Sequence, residues 1–337
     1  MKTVLVTGGC GFIGSHLVRY FLKNHPDFKI LNFDKLTYAG NLENLKDIAG
    51  HKNYKFLKGD IADPRSVGKA FKSFHPDYII NFAAESHVDR SIHGFGREFI
   101  NTNIYGVFNL LENAKKLGVD KFIQVSTDEV YGSLDLESKN KFTEKTQYRP
   151  RSIYSASKAS GDLLANSYFS TWSLPVIVTH CSNNYGSHQY PEKLIPYFVL
   201  RALAGKSLPL YGDGQNVRDW IHVDDHVSAL NAILTKGKPG EIYNISGGQE
   251  MSNIKIAETI LDILKKPHSM VRFVADRLGH DRRYAIDDSK FRRELGWRPK
   301  HRLEKMLADT IKWYKDNPKW VKNALKRLKM VNPHIEI

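Results

Sequence analysis

The sequence contains little cysteine and no long apolar run. Its two cysteines, Cys10 and Cys181, lie far apart in a chain of 337 residues, so neither a disulfide framework nor a metal site is predicted. No stretch approaches the roughly 20 apolar residues that a membrane span needs. The first residues are typical of a strand and show no signal-peptide pattern. We therefore expect a cytoplasmic protein with no membrane partner.

Acidic residues are fewer than basic ones. The 36 Asp and Glu against 50 Lys and Arg give a net charge of +14, which is compatible with an anionic partner such as nucleic acid or a phosphorylated metabolite. The lysines are spread through the chain, and their densest stretch, 312–329, includes Trp313, Trp320 and Leu325, a pattern typical of one amphipathic helix. No nucleic-acid-binding motif is present. The charge therefore favours a lysine-rich surface, and no nucleic-acid partner is predicted.

Strand-like and helix-like segments alternate in the first half of the chain, as is typical of a doubly wound parallel sheet. After about residue 183 the pattern becomes irregular, although 241–245 resembles one more strand. We predict an α/β fold, with a parallel Rossmann sheet in residues 1–182. Residues 183–337 are predicted to form a smaller α/β region, mainly for substrate binding, that partly returns to the sheet. The predicted strands are 4–7, 30–34, 78–83, 121–126 and 175–180, and the predicted helices are 13–22, 66–74, 98–117 and 153–169.

A glycine-rich turn joins the first strand to the first helix. Gly8, Gly11 and Gly14 recur every third residue, and glycines there let the backbone approach a pyrophosphate that sits at the helix N-terminus. Asp34 ends the second predicted strand, where a carboxylate accepts hydrogen bonds from ribose hydroxyls and repels a 2′-phosphate. The pattern predicts NAD rather than NADP as the cofactor. The alternative is a tight turn that binds no ligand.

Two further motifs indicate redox and acid–base chemistry. Tyr154 and Lys158 lie on one face of a predicted helix. A neighbouring ammonium and a positive nicotinamide favour the phenolate, so Tyr154 is a candidate base for a substrate hydroxyl. Asp128 and Glu129 directly follow a predicted buried strand, at the edge of the sheet where ligands bind. On their own these carboxylates are either an acidic turn or an acid and a base, and their spacing does not assign the two roles.

With these motifs the sequence resembles the nucleotide-sugar 4,6-dehydratases of the extended short-chain dehydrogenase/reductase superfamily. The triplet 127–129 separates this branch from nucleotide-sugar epimerases and decarboxylases, which remain alternatives within the superfamily. The resemblance implies NAD-dependent loss of water from a nucleoside-diphosphate glucose, with dTDP-glucose favoured and UDP-glucose left open. The motifs that carry it extend over almost the whole chain and are 7–14, 34–41, 83–91, 126–132, 154–158, 183–186, 191–196, 217–220 and 279–284.

The resemblance also implies the role of each catalytic residue. Tyr154, beside Lys158, takes the proton of the C4 hydroxyl while Thr127 hydrogen-bonds the C4 oxygen. Glu129 then removes the C5 proton, and Asp128 protonates the departing C6 hydroxyl. A buried acid and a buried base with different pKa values would meet this need.

The remaining site residues are assigned by the same resemblance. Arg218 is expected to bind the diphosphate, with a structural Arg218–Asp219 pair as the alternative, and His222 and His226 are expected to be structural. A homodimer is expected through helices 98–117 and 153–169. The predicted cofactor residues are Gly8, Gly11, Phe12, Ile13, Gly14, Asp34, Lys35, Thr37, Asp60, Ile61, Ala83, Ala84, Ser86, Thr102, Tyr154, Lys158 and Asn184. The predicted substrate residues are Ser86, His87, Thr127, Asn183, Lys193, Leu194, Pro209, Tyr211, Arg218, Asn253, His280 and Tyr284.

Overall fold

A parallel sheet of seven strands forms the centre of the protein. The computed structural model describes residues 1–92, 94–331 and 337. The strands of this part of the chain are β1 (Lys2–Thr7), β2 (Phe28–Asp34), β3 (Tyr54–Lys58), β4 (Tyr78–Asn81), β5 (Lys121–Thr127), β6 (Val176–Cys181), β7 (Asn183–Tyr185), β8 (Leu208–Tyr211), β9 (Val217–His222), β10 (Ile242–Ile245), β11 (Glu250–Ser252) and β12 (Val271–Val274). The order across the large sheet is β10-β6-β5-β4-β1-β2-β3, and every pair is parallel. The order reverses at β1, and ligands bind beside such a reversal.

Helices cover both faces of this sheet, which confirms the doubly wound fold. Adjacent residues of β1 point to opposite faces, so Val4 and Val6 pack with α1 while Leu5 packs with α2 and α5. A strand buried on both faces is expected to carry a continuous apolar run, as residues 4–6 do in the centre of β1. The helices are α1 (Phe12–Asn24), α2 (Pro64–Phe74), α3 (Val88–Ile92), α4 (Gly96–Ile100), α5 (Val107–Leu117), α6 (Ile153–Trp172), α7 (Leu194–Leu203), α8 (Val223–Lys236), α9 (Asn253–Ile263), α10 (Ser289–Leu295), α11 (Leu303–Asp316) and α12 (Pro318–Val331).

The second half of the chain is more regular than its sequence suggested. It forms a three-stranded sheet in the order β11-β9-β7 and a parallel pair of β12 with β8. Helices α7, α9, α11 and α12 enclose a separate apolar core beside these strands. One strand of this half, β10, pairs with β6 in the large sheet.

Three sequence predictions need correction. The strand β3 was not predicted because it is a short edge strand in which two of the five residues are lysines. The single amphipathic helix expected at 312–329 is two helices, α11 and α12, because Pro318 cannot continue a helix and begins a new one. The helix expected at 98–117 starts at Gly96, and its residues Asn101–Gly106 have π-helical geometry. None of the described helices is both long and apolar enough to cross a bilayer.

Candidate active site

A cavity of about 330 Å³ opens at the carboxyl ends of the central strands. Its floor is formed by the turns that follow β1, β4 and β5, and its opposite wall by the segment that follows β6. All of the residues predicted to bind the cofactor line this cavity, namely Gly8, Gly11, Phe12, Ile13, Gly14, Asp34, Lys35, Thr37, Asp60, Ile61, Ala83, Ala84, Ser86, Thr102, Tyr154, Lys158 and Asn184.

The glycine turn is too tight for any larger residue. Gly8 has φ of +68°, and a Cβ placed there would lie 2.8 Å from the amide nitrogen of Ala83. A Cβ on Gly14 would lie 2.5 Å from the carbonyl oxygen of Gly8. Helix α1 begins directly after Gly11, and no described side chain caps its first turn. Its free amides therefore offer the cavity a site for an anionic group.

Asp34 stands at the end of β2 with its carboxylate against the glycine turn. Its two oxygens accept hydrogen bonds from the amides of Cys10, at 2.9 Å, and Leu36, at 2.7 Å. Burial raises the pKa of Asp34, and these two hydrogen bonds oppose the rise. Each oxygen retains a further lone pair, so the carboxylate can still accept hydrogen bonds from a ribose diol.

Tyr154 and Lys158 lie in the first turns of α6. Ser152 and Ser155 form a reciprocal capping box at the start of this helix. The ammonium of Lys158 donates to the carbonyl oxygen of Val125 at 2.8 Å. In the protein alone the pKa of Tyr154 is raised by burial and by the carboxylate of Glu129, which is the opposite of the direction expected for the complex. Burial also lowers the pKa of Lys158. These surroundings favour the neutral phenol, and a positive charge from a bound ligand would favour the phenolate.

The two carboxylates of the triplet lie side by side in a short 3-10 helix, Asp128–Tyr131, where Asp128 is buried and Glu129 is half-buried. Thr127 caps this helix, since its Oγ1 accepts from the amide of Glu129 and donates to Oδ1 of Asp128, both at 3.3 Å. Burial, with the charges of Glu129 and Asp219, raises the pKa of Asp128 well above its usual value. Burial also raises the pKa of Glu129, but the charges of Arg277 and Arg218 oppose this rise.

The predicted substrate residues fall into two groups. Ser86, Thr127, Asn183 and Lys193 line the same cavity as the cofactor residues. The others do not line the cavity. Most of them lie around the 211–217 segment, where the amide of Asn253 donates to the carbonyl of residue 216. The residues outside the wall are His87, Leu194, Pro209, Tyr211, Arg218, Asn253, His280 and Tyr284.

Arg218 is the charged member of this outer group. Its guanidinium lies 4.2 Å from the ring centre of Tyr284 and donates to the carbonyl oxygens of Val217 and Asp281 at 2.8 and 2.9 Å. Asp219 points elsewhere and accepts from Ser246 and Gln249, so the alternative of an Arg218–Asp219 pair is wrong. The positive charge of Arg218 instead opposes the rise in the pKa of both carboxylates of the triplet, Asp128 and Glu129.

The expected structural roles of two histidines can be compared with their contacts. His222 ends β9, and its Nδ1 accepts from the amide of Asp224 at the start of α8. His226 contacts Oδ1 of Asn184 through Nδ1, at 3.0 Å, and it also lines the cavity. His226 therefore orients a predicted cofactor residue.

The sequence analysis missed two charged residues near the cavity. Glu192 lines the wall with 1% of its side chain exposed, and burial raises its pKa to about 7. It accepts from Oη of Tyr38 at 3.1 Å and lies 3.7 Å from Nδ1 of His87. Arg277 opposes the rise in the pKa of Glu129 and pairs with Asp89 at 3.4 Å. Glu192 directly precedes Lys193, and Arg277 lies just before the 279–284 motif. Proximity to these motifs was the signal in the sequence that could have identified both residues.

A buried polar network lies beside Lys158, the predicted catalytic lysine. Asp162, fully buried on α6, accepts from Oγ of Ser126 at 2.6 Å and contacts Nε2 of His180 at 3.2 Å. Nδ1 of His180 contacts Oη of Tyr131 at 2.7 Å. The charge of Asp162 opposes the burial that lowers the pKa of Lys158. Ser126, the first residue of the 126–132 motif, therefore helps to position Asp162, whose charge acts on Lys158.

Comparison with known proteins identifies relatives of the whole chain. Residues 5–310 match the family model described as GDP-mannose 4,6 dehydratase. The chain is 49% identical to dTDP-glucose 4,6-dehydratase of Salmonella typhimurium, over 95% of each protein. It is also 49% identical to a dTDP-glucose 4,6-dehydratase from Bacillus anthracis solved in complex with NAD, with a TM-score of 0.90 over 96% of this chain and all of that one.

More distant relatives share the fold as well. The UDP-glucose 4-epimerase of Thermotoga maritima, solved with UDP-glucose, is 30% identical and superposes with a TM-score of 0.86 over 94% of this chain and all of that one. The fold alone therefore does not separate a dehydratase from an epimerase, and the residues of the site must do so.

Proposed function

The chain belongs to the GDP-mannose 4,6 dehydratase family, and we propose that it is an NAD-dependent lyase that converts dTDP-glucose to dTDP-4-keto-6-deoxyglucose. The observation that carries this proposal is the pair of adjacent carboxylates, Asp128 and Glu129, that line the same cavity as Tyr154 and Lys158. Oxidation at C4 requires a base for the hydroxyl proton. The loss of water that follows requires a second base and an acid.

The cavity fits NAD. The glycine turn leaves room for a pyrophosphate at the uncapped N-terminus of α1, and Asp34 is available to the adenosine ribose. A ribose 2′-phosphate would bring its charge close to the carboxylate of Asp34, which favours NAD over NADP. When bound, NAD supplies the redox chemistry of the reaction, the removal of a hydride from C4 and its return to C6.

The protein's own groups move the protons. We assign to Tyr154 the proton of the C4 hydroxyl, with Thr127 hydrogen-bonded to the same oxygen. Lys158, supported by Asp162, supplies a positive charge that favours the phenolate. The 4-keto group then makes the C5 proton acidic.

The environments of the two carboxylates support different roles for them. Burial raises the pKa of Asp128 well above its usual value and so favours its protonated form, which suits the acid that protonates the departing C6 hydroxyl. Arg277 and Arg218 moderate the pKa of Glu129, so Glu129 serves as the base that takes the C5 proton. An epimerase or a non-catalytic NAD-binding protein has no task for this second acid–base pair.

The outer group supports a nucleoside diphosphate as the rest of the substrate. We propose that the guanidinium of Arg218 binds the diphosphate and that Pro209 and Tyr211 lie along the base. Residues 1–182 would then bind mainly NAD, and residues 183–337 mainly the nucleotide sugar. Thymidine is favoured over uridine because dTDP-glucose is the substrate in the names of the relatives reported above.

We also propose a homodimer. Large apolar side chains are exposed on α4, α5 and α6, among them Phe108 at 42%, Leu163 at 60% and Trp172 at 52%. Three other apolar residues on these helices, Val107, Leu111 and Tyr168, are buried in the core, so the exposed set forms a second face. A two-fold contact would cover this face. In sedimentation experiments Leu163→Glu should give a monomer, while Leu278→Glu, in an exposed loop, should not.

The two cysteines support a reducing compartment. Cys10 and Cys181 are both buried and unpaired. We therefore propose a cytoplasmic location.

Incubation with dTDP-glucose and with UDP-glucose tests the proposed function. The product is a 4-keto sugar, which is detected by its ultraviolet absorbance in alkali. We expect product from dTDP-glucose, and product from UDP-glucose alone would instead assign uridine as the base. If neither sugar gives a keto product, even with added NAD, the chain is not a 4,6-dehydratase of these glucose nucleotides.

A further inference from the structure

Three histidines surround the carboxylate of Asp224 at the start of α8, outside the cavity. His16 from α1 places Nδ1 3.2 Å from Oδ1 of Asp224, and His222 from the end of β9 places Nδ1 3.6 Å from Oδ2. The ring of His301, just before α11, lies with its centre 4.9 Å from that of His222. Among the residues that the structure describes, His222, Asp224 and His301 form the one group of three or more His, Cys, Asp or Glu whose ligand atoms converge within 4.8 Å.

The hydrogen bonds of His301 leave one nitrogen available. Its Nδ1 lies 2.8 Å from Oδ1 of Asp225. A carboxylate accepts, so Nδ1 carries the hydrogen and the lone pair is on Nε2. A carboxylate that fixes a histidine in this way is the usual support of a metal-binding imidazole.

His16 presents a second unusual contact. Its Nε2 lies 3.0 Å from the carbonyl oxygen of Ser187, to which it can donate, and 3.3 Å from Oγ of Ser187, from which it can accept. When Nε2 donates in the neutral ring, Nδ1 is an acceptor that faces an oxygen of Asp224, which is also an acceptor. A metal ion bound by the carboxylate would relieve that contact. The carboxylate of Asp224 is therefore held at the centre of a set of groups that attract a cation.

We propose that His222, Asp224 and His301 bind a divalent transition-metal ion. Imidazole nitrogens and a carboxylate oxygen suit Zn²⁺, Co²⁺ or Ni²⁺. Around a tetrahedral ion with bonds of roughly 2.0–2.1 Å, the ligand atoms lie about 3.4 Å apart. This is close to the 3.6 Å between Nδ1 of His222 and Oδ2 of Asp224.

Metal binding would replace one existing hydrogen bond and would connect separate elements of the fold. Nδ1 of His222 now accepts from the amide of Asp224 at 3.3 Å, near the upper limit for a hydrogen bond, and an ion would replace this contact. In return it would join the start of α8 to the segment that leads into α11. Through the contact of Asp224 with His16, it would also tie both to α1, which carries the glycine turn. We infer a role in holding these elements together rather than in the chemistry of the cavity.

Metal titration tests this site directly and independently of the proposed function. The full-length chain, without a histidine tag and treated with a chelator, would be titrated with Co²⁺ by visible absorption and with Zn²⁺ by calorimetry. We expect one ion per chain and a rise in the midpoint of thermal unfolding with Zn²⁺. Loss of one ligand in His301→Ala should weaken binding at least about tenfold.

A matched control is available at the end of α9. Asp262 on this helix and His268 beyond it also form a His–Asp pair, at 2.7 Å, but no third ligand from the described part of the chain joins them. His268→Ala should therefore leave the affinity unchanged. If the His301 variant does not fold, as judged by circular dichroism, Asp224→Asn serves in its place. The proposal is overturned if no ion binds at millimolar concentration, or if binding survives both changes, which would mean that the ion binds elsewhere.

Discussion

Replacement of Glu129 by glutamine should stop the reaction between its two chemical stages. Glutamine has nearly the same shape but cannot take the C5 proton, and loss of a general base typically lowers the rate about 10²–10⁴-fold, or roughly 3–5 kcal/mol in the barrier. Oxidation at C4 uses Tyr154 and should persist. On mixing with dTDP-glucose, the variant should therefore accumulate reduced cofactor, seen by its absorbance, while the keto product forms slowly.

The same change should alter the first stage in a measurable way. The negative charge of Glu129 is, after burial, the largest cause that raises the pKa of Tyr154. Removal of this charge lowers that pKa, so the phenolate persists to lower pH. The pH profile of cofactor reduction should therefore move to lower pH in the variant.

A matched control and clear outcomes complete this experiment. Glu294→Gln changes a half-buried carboxylate that contacts Tyr243 and Lys238 outside the cavity, and it should leave both stages unchanged. If the Glu129 variant forms the keto product at the parent rate, Glu129 is not the base. If it fails even to reduce the cofactor, the carboxylate acts in the first stage and the division of roles is wrong.

Three further predictions follow from single contacts. Gly14→Ala places a methyl group 2.5 Å from a carbonyl oxygen and should abolish NAD binding measured by fluorescence, while Gly50→Ala, with no atom near its Cβ, should not. Arg218→Met should raise KM for dTDP-glucose at least about tenfold because the diphosphate loses charged hydrogen bonds, and an unchanged KM would exclude that contact. Glu192 has a folded-state pKa of about 7 against about 4.5 unfolded, so the native state binds more protons between these values and stability falls as pH rises through them. Glu192→Gln should therefore match the parent in denaturant unfolding at pH 4.5 but be more stable at pH 8, by about 3 kcal/mol at most; equal stability at both would show that the burial of Glu192 has no such cost.

The parts of the site that could be predicted from the sequence are those whose chemistry is local. The glycines from Gly8 to Gly14, Asp34 at a strand end, and Tyr154 with Lys158 on one helix face all derive their meaning from near neighbours. The sheet places them around one cavity because parallel strands bring their carboxyl ends to the same edge. Local pattern and overall topology therefore agree in this half of the chain.

Features that depend on distant contacts were not predictable. Arg277 acts on Glu129 across about 150 residues of sequence, and no local spacing indicates the pair. His301 and Asp224 meet only because α8 and the segment before α11 are adjacent in the folded chain. The direction of the pKa shift of Tyr154 was also beyond the sequence, because it depends on how deeply the fold buries the phenol.

The glycine turn is encoded first in the chain but is held in place by residues near its end. Trp320, on α12, donates through Nε1 to Oδ1 of Asn44 at 2.7 Å, and Asn44 donates to the carbonyl oxygen of Cys10 within the turn at 2.9 Å. At roughly 5–20 residues per second, a ribosome needs about 15–60 s to pass from Asn44 to Trp320. Strand β10 likewise arrives long after β6, whose edge it covers. The glycine turn of a nascent chain therefore lacks this support until α12 has been synthesised, and β6 remains an open edge until β10 follows it.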